Sequence, residues 1–470
     1  MNKKHIIIIF LCGLLLTLAG CKKYLQIQPE GTYTEAQVFA NEKAAQQMLN
    51  GLYISMADNN LYGAALTETV VELMAQRYKT TTSGSGATYS LYQQYQYSDA
   101  RSLAQFEATW KRAYSTILTA NLFLEKIDLS VQNHVITQEN CNMMKGEALA
   151  VRAMLHFDLM RVFAPAYSLG ANQSAIPYNT LADGKAQPIL TSAQVLEKVL
   201  EDLTAAESLL ANDPVIKTGV VAETDFYTGS RNQRLNYYAV KALKARVYLW
   251  AGKKTDAHNA ALAALTEGEK WFPWLDRSAI AGATLPNRIF STEVLFAVYN
   301  SNLYTNYANF FSPVLLDDAI LAAEPTNLKN TFENNENDYR YTTTWVQTTR
   351  TFRTFYKYEN ASSSTAWRFL QPLIRKSELY YILAETETDP DLASGYLNTV
   401  RANRGLPALA AGTLLPAEIL KEYRKEFYGE GQLFFYYKRN NTATIPDGID
   451  NTVKKPIYLV PLPLSETTPR

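Results

Sequence analysis

The 470-residue chain is poor in cysteine, with 3, and in histidine, with 4. Cys12 and Cys21 stand at the start, so Cys141 is alone in the body and no internal disulfide can close there. The fold must then be held by its core, and a chain of this length can build a large one. His134, His156 and His258 show no metal-ligand spacing. There is no HExxH, GxSxG, Walker loop or CxxC pair. Net charge is also lacking, at 45 Lys+Arg against 45 Asp+Glu, which removes the strongly basic face that nucleic acid requires. Beyond the first 20 residues no run is long and apolar enough for a membrane-spanning helix, which needs about 20 such residues. No cofactor and no metal is implied. Paired carboxylates for glycoside hydrolysis stay open, because they meet in space and not along the chain.

What is present begins at the N-terminus. Lys3 and Lys4 precede an apolar run, Ile6 to Leu18, of signal-peptide length. Leu18-Ala19-Gly20-Cys21 closes it and resembles a bacterial lipobox. The expectation is a lipoprotein signal peptide over 1–20, acylation of Cys21, and a tether over 21–33. Several acyl chains anchor stably, at about 0.8 kcal/mol per buried CH₂. Lys22 follows the cysteine where Asp would favour inner-membrane retention, so the expected site is the outer membrane.

Along the chain the dominant period is helical. Thr34 and Gln37 form a capping-box pattern opening a helix to about Asp58. Further helices are expected over 64–76, 103–127 and 192–211. In "GEALAVRAMLHFDLMRVF", Ala148, Val151, Leu155, Leu159 and Val162 make one apolar stripe, and Pro165 stops the helix. Small residues on both sides of Ala251-Gly252-Lys253 follow the helix–turn–helix logic of a tetratricopeptide repeat, without a strict period. Residues 268–372 lose helical periodicity and gain Trp, Tyr, Asn, Ser and Thr; "STEVLFAVY" reads as a strand. Helices return from Leu373, and "KKPIYLVPLPLSE" reads as an extended tail packed on the body.

Several stretches, in order, resemble the SusD/RagB family of outer-membrane nutrient-binding lipoproteins. They are "GCKKYLQIQPEG", "GEALAVRAMLHFDLMRVF", "AVKALKARVYLWAGK", "PLIRKSELYYILAET" with "LNTVRANRGL", "EYRKEFYGEGQLFFYYKR" and "VPLPLSE". Tyr423, Gln432 and Phe435 depart from the family pattern, where Glu, Arg and Asp are usual, and unsettle one local ion-pair network. The resemblance implies a mainly α SusD-like fold over 34–470, with an N-terminal part near 34–230 and a C-terminal part near 235–470. It implies TPR-like helix pairs as scaffold and an irregular, loop-rich ligand face. It further implies a SusC-like TonB-dependent transporter as partner, a glycan or peptide as ligand, the cell exterior as location, and no catalysis.

The residues themselves favour binding. The 31 tyrosines offer flat apolar faces with polar tips. A saccharide pocket is expected to be mostly aromatic with a few placed polar groups. Two regions fit: "QRYKTTTSGSGATYSLYQQYQYSD", with Arg77 and Tyr89, and the middle segment, with Trp274, Tyr304, Tyr307, Tyr341 and Trp345. Asn302 and Asn306 are polar candidates. Trp110, Trp250 and His156 read as packing residues, and Arg152, Asp158, Arg375, Glu378 and Glu385 as structural charges. "FENNENDYRY" carries oxygen donors but lacks a Ca²⁺ loop spacing and reads as a solvated loop. The competing readings are a lipid-anchored TPR-type scaffold for proteins or peptides, and a hydrolase.

Overall fold

The helix read from "GEALAVRAMLHFDLMRVF" spans Gln138–Phe163, capped by the Thr137 side chain and ended at extended Ala164, before Pro165. Its stripe is buried as expected, but so is nearly every other side of its second half. A helix buried all round lies at the centre of a structure. Its charges are therefore neutralised internally. Arg152 makes a two-pronged pair with Asp202, 2.7 Å on each prong, and Glu147 meets Arg231 at 2.6 Å and Arg234 at 3.0 Å. His156 is fully buried, stacked on Tyr178 at 3.9 Å, with Nε2 accepting from the Asn179 amide.

The computed structural model describes residues 35–362, 365–448 and 456–468. The signal peptide, Cys21, the tether and Thr34 lie outside the described residues. The longer helices are α1 (Glu42–Met56), α2 (Ala100–Lys126), α3 (Gln138–Phe163), α4 (Ser192–Leu209), α5 (Tyr237–Trp250) and α6 (Lys254–Gly268). They are followed by α7 (Leu303–Phe310), α8 (Lys376–Thr386), α9 (Pro390–Ala402), α10 (Leu415–Glu426) and α11 (Gln432–Arg439). Helices α1 to α6 pack each on the next in chain order, α6 packs on α8, and α8 on α9. Each helix thus buries its apolar stripe against a sequence neighbour, the logic of stacked helical hairpins. Gly252, at φ 71°, makes the α5–α6 turn.

Three boundaries differ from expectation. The first helix breaks at Ala40, because Asn41 accepts from the Ala44 amide at 3.0 Å and caps α1 anew. Of 64–76 only Val70–Met74 is α-helical, the preceding residues forming tight turns. The segment before α8 is not helix but strand, Leu370–Arg375, paired antiparallel with Val294–Tyr299. Among the described residues, the strands form three separate two-stranded sheets.

Buried charges bind the irregular middle segment to the C-terminal helices. Glu426 takes Arg340 at 2.9 Å, Arg404 at 2.7 Å and Arg375 as well. Glu422 takes Arg340 and Arg401, and Glu293 takes Arg404. Burial alone would raise the Glu426 carboxyl, but Arg404, Arg375 and Arg340 hold it well below the usual carboxylate range. The acids of "FENNENDYRY" are committed in the same way: Glu333 to Lys421 and Lys425, Glu336 to Arg353, and Asp338 to Arg340. Two of the family departures, Gln432 and Phe435, meet at Arg161. It donates to Gln432, lies over the Phe435 ring at 3.9 Å and keeps Asp158 as its acid partner. Tyr423 packs among Tyr381, Phe427 and Tyr436.

Candidate functional site

Helix α7 follows the strand Val294–Tyr299 directly. Asn300 fixes the junction by donating to the Gly63 carbonyl at 3.2 Å and to Gln371 at 2.8 Å. On the inner side of α7, Leu303 and Asn306 are buried, and Asn306 donates to Gly63 O at 2.7 Å. This leaves Tyr304, Tyr307 and Phe310 half-buried, at i, i+3 and i+6. Residues three apart are neighbours on a helix surface, so the three rings form a row of about 9 Å rise.

Each ring of the row meets a ring from a different segment. Tyr304 meets Phe369 at 5.0 Å, Tyr307 meets Tyr356 at 5.8 Å, and Phe310 meets Tyr89 edge-on at 6.4 Å. Tyr299 extends the row by packing on Phe369 at 5.0 Å. Two guanidiniums edge it. Arg368 lies over Tyr304 and Phe369, at 5.1 and 4.8 Å. Arg288 lies over Tyr356 at 5.5 Å and pairs with Glu359 at 3.0 Å. Burial pushes the Tyr89, Tyr304 and Tyr307 phenols up, so they stay neutral at ordinary pH, with the Tyr304 hydroxyl donating to the Arg368 carbonyl and keeping its oxygen as an acceptor. The result is a half-open ridge of rings with polar edges, suited to apolar ring faces that carry hydroxyl rims.

The Gly/Ser/Thr loop reaches this ridge because its glycines permit it. A Cβ on Gly84 would meet Asp318 Oδ2 at 1.8 Å, and one on Gly86 would meet the Asp318 carbonyl at 2.0 Å. Lys79 bridges to Ala322, and the Ser85 amide donates to Asp318 at 3.2 Å. The loop is thereby docked against the segment after α7, and it carries the short helix Ala87–Gln93 with Tyr89.

The structure thus brings Tyr89 and Tyr304 together and sends the other candidates elsewhere. Trp345 is 0% exposed, set between Phe355 and Tyr428. Tyr341 is buried, stacked on Phe332 and covered by Arg353. Arg77 is buried 3.1 Å from the Tyr428 ring centre, paired with Glu72 and donating to the Arg424 carbonyl. Neither ring nor guanidinium can face a ligand from inside the core, so these three leave the candidate set. Trp274 is half-buried against Tyr380, with the Lys376 ammonium 3.9 Å from its ring, away from the ridge. Asn302 lies exposed just before α7, whereas Asn306 is spent on the backbone. Tyr307 is legible in the sequence; Phe310, Tyr356, Arg368 and Phe369 join it only in the fold, although the Tyr-x-x-Tyr-x-x-Phe spacing in "LYTNYANF" marks the first three rings of one helix face.

A family profile described as "Starch-binding associating with outer membrane" matches residues 23–249, and one described as "SusD family" matches 299–459. The chain belongs to the SusD/RagB family, an outer-membrane-associated family of carbohydrate-binding proteins. It is 22% identical over 244 residues to a SusD-like protein of Bacteroides ovatus, covering 50% of this chain and 37% of that one. It is 26% identical over 202 residues to SusD-like protein P2 of Formosa agariphila, covering 42% of this chain and 36% of that one. The matches thus span little more than a third of those relatives' lengths. Among solved structures, a SusD superfamily protein of Bacteroides thetaiotaomicron superposes with TM-score 0.68 at 24% identity, covering 85% of this chain and 89% of that one. A laminarin-binding SusD-like protein superposes with TM-score 0.66 at 18% identity, covering 91% and 97%.

Proposed function

We propose that this chain is a surface-exposed outer-membrane lipoprotein, anchored through Cys21, that captures a glycan on the α7 ridge and passes it to a SusC-like TonB-dependent transporter. The observation that carries the reading is the row Tyr304, Tyr307 and Phe310, each ring paired across segments and left half-open. Rings so placed stack on sugar faces, while Arg368 and the phenol tips meet the hydroxyls. The frame supports the same reading, because a rigid scaffold holds the ridge in shape before the ligand arrives and so reduces the ordering cost of binding.

The test is a glycan array probed with the unaltered chain, Tyr304→Ala and Phe369→Ala. Binding to a defined glycan set, lost in both variants with helical circular dichroism unchanged, is expected. Unaltered binding by both variants refutes the site. Palmitate labelling that survives Cys21→Ser refutes the anchor. Failure to co-purify a β-barrel partner from outer membranes refutes the delivery step.

A further inference from the structure

Tyr299 belongs to two surfaces. Its ring is 51% exposed and packs on Phe369 at the end of the ridge. It also lines a separate cleft of about 590 Å³ between α1 and the loop 221–234. That loop is firmly built. Val221 bridges to Gly229, and Asp225 accepts from the amides of Tyr227 and Thr228 at 3.0 and 2.9 Å. A Cβ on Gly229 would meet the Glu223 carbonyl at 2.2 Å, so the closure requires glycine. Ser230 follows in the left-handed region at φ 48°, a conformation that non-glycine residues adopt at a cost and that recurs at functional sites.

The loop presents the Phe226 ring to the cleft, with the buried Arg234 guanidinium 4.1 Å from its centre. Arg234 is fixed from behind by Glu147 at 3.0 Å and from the side by Asn50 at 2.7 Å. Around this floor stand Lys43 and Gln47 from α1 and Gln233 from the loop. Among the described residues, the side chains of these three have no hydrogen-bond or ion-pair partner. A primary amide offers both a donor and an acceptor, as a sugar hydroxyl requires. With Arg234 neutralised by Glu147, the lining sets Lys43 against Glu223 and Asp225, which leaves no excess of positive charge for an anionic ligand. An anionic ligand is disfavoured, and Phe226 and Tyr299 supply ring faces at the walls for a neutral one.

We propose that this cleft is a second saccharide site for a neutral, hydroxyl-rich segment, joined to the ridge through Tyr299. One long neutral oligosaccharide then lies across both. The proposal rests on the ridge being a glycan site, and the two can fail separately. Calorimetric titration of the full chain would use maltohexaose and laminarihexaose, each against its disaccharide, maltose or laminaribiose. For at least one pair the hexasaccharide is expected to bind about tenfold tighter. The ratio is expected to fall to near one in Gln233→Ala and in Gln47→Ala, the latter on an exposed face of α1 where folding is not at stake. Tyr304→Ala is expected to weaken both lengths. A ratio unchanged in both glutamine variants overturns the cleft and leaves the ridge standing. Disaccharide binding that survives Tyr304→Ala overturns the ridge reading. Equal affinity for both lengths, or no binding of any of the four sugars, overturns the proposal.

Discussion

Glu426 gives the sharpest test of how the ligand face is held, because a single carboxylate joins three segments. It is fully buried and bonded to Arg340 of the middle segment, to Arg375 before α8 and to Arg404 after α9. Glu426→Gln keeps the shape but replaces one acceptor oxygen with a donor that points at guanidinium donors. Breaking a buried ion pair typically costs about 3–5 kcal/mol. Each arginine here keeps another acid: Arg340 has Asp338 and Glu422, Arg375 has Glu430, and Arg404 has Glu293. The loss should therefore fall near the lower end, about 3 kcal/mol. Urea unfolding followed by tryptophan fluorescence would read it as a lower midpoint with unchanged slope. The sign of the pH dependence also follows. The folded-state pKa of Glu426 lies below the unfolded value of about 4.3, so its stabilisation is complete above that value. It is lost as pH falls through the folded-state pKa, and Glu426→Gln should flatten the stability curve in that acid range. As a control, Glu336→Gln removes a half-exposed pair with Arg353 and should cost no more than about 1 kcal/mol. A Glu426→Gln loss no larger than the control's refutes the view that this network pins the middle segment.

His156 should make a second, separate pH signature. Burial holds its pKa down at about 3, whereas an unfolded histidine titrates near about 6.5. Its folded-state pKa is the lower one, so stability should fall by up to about 1.4 kcal/mol per pH unit as pH drops from about 6.5. Chemical unfolding at stepped pH, compared with His156→Gln, would show the slope lost in the variant; an equal slope refutes it. Gly86→Ala should undock the loop from Asp318, at a cost of about 1–3 kcal/mol for a forced fit. Limited proteolysis should then cut near residues 79–86 faster than in the unaltered chain, and unchanged digestion refutes the docking. Arg152→Ala leaves Asp202 buried without its two-pronged partner and should cost about 3–5 kcal/mol, measured by the same urea series.

The helices were legible wherever one face was apolar and a cap was written beside it. Thr191 and Gln194 form the capping box that opens α4, and Gly405, at φ 81°, lies just beyond α9. The misreadings have local causes. Asn41 restarts a helix in mid-pattern, and helical periodicity does not separate a central helix such as α3 from an amphipathic one, since its charged residues pair internally. "LIRKSELYYILAET" reads as one helix because "LQPLIR" is a short apolar run. Only its partner strand, some 75 residues upstream, makes it extended.

The ligand face was less legible, for a reason rooted in the rings themselves. An aromatic side chain serves a core and a sugar equally well, and what separates the two uses is one uncovered face. Trp345 and Tyr304 are alike in sequence context, both aromatic residues in an irregular stretch. Trp345 is closed on one side by Phe355 and on another by Tyr428, rings supplied by distant segments. Tyr304 meets Phe369 and stays partly open because α7 turns Leu303 and Asn306 inward instead. Spacing on a helix is visible in one sequence; the number of distant rings that arrive to cover it is not. The same logic makes the candidate cleft invisible in one sequence. Its polar groups, Gln47 and Gln233, look like ordinary surface amides until the fold places them around Phe226 and Tyr299, with no partner of their own among the described residues.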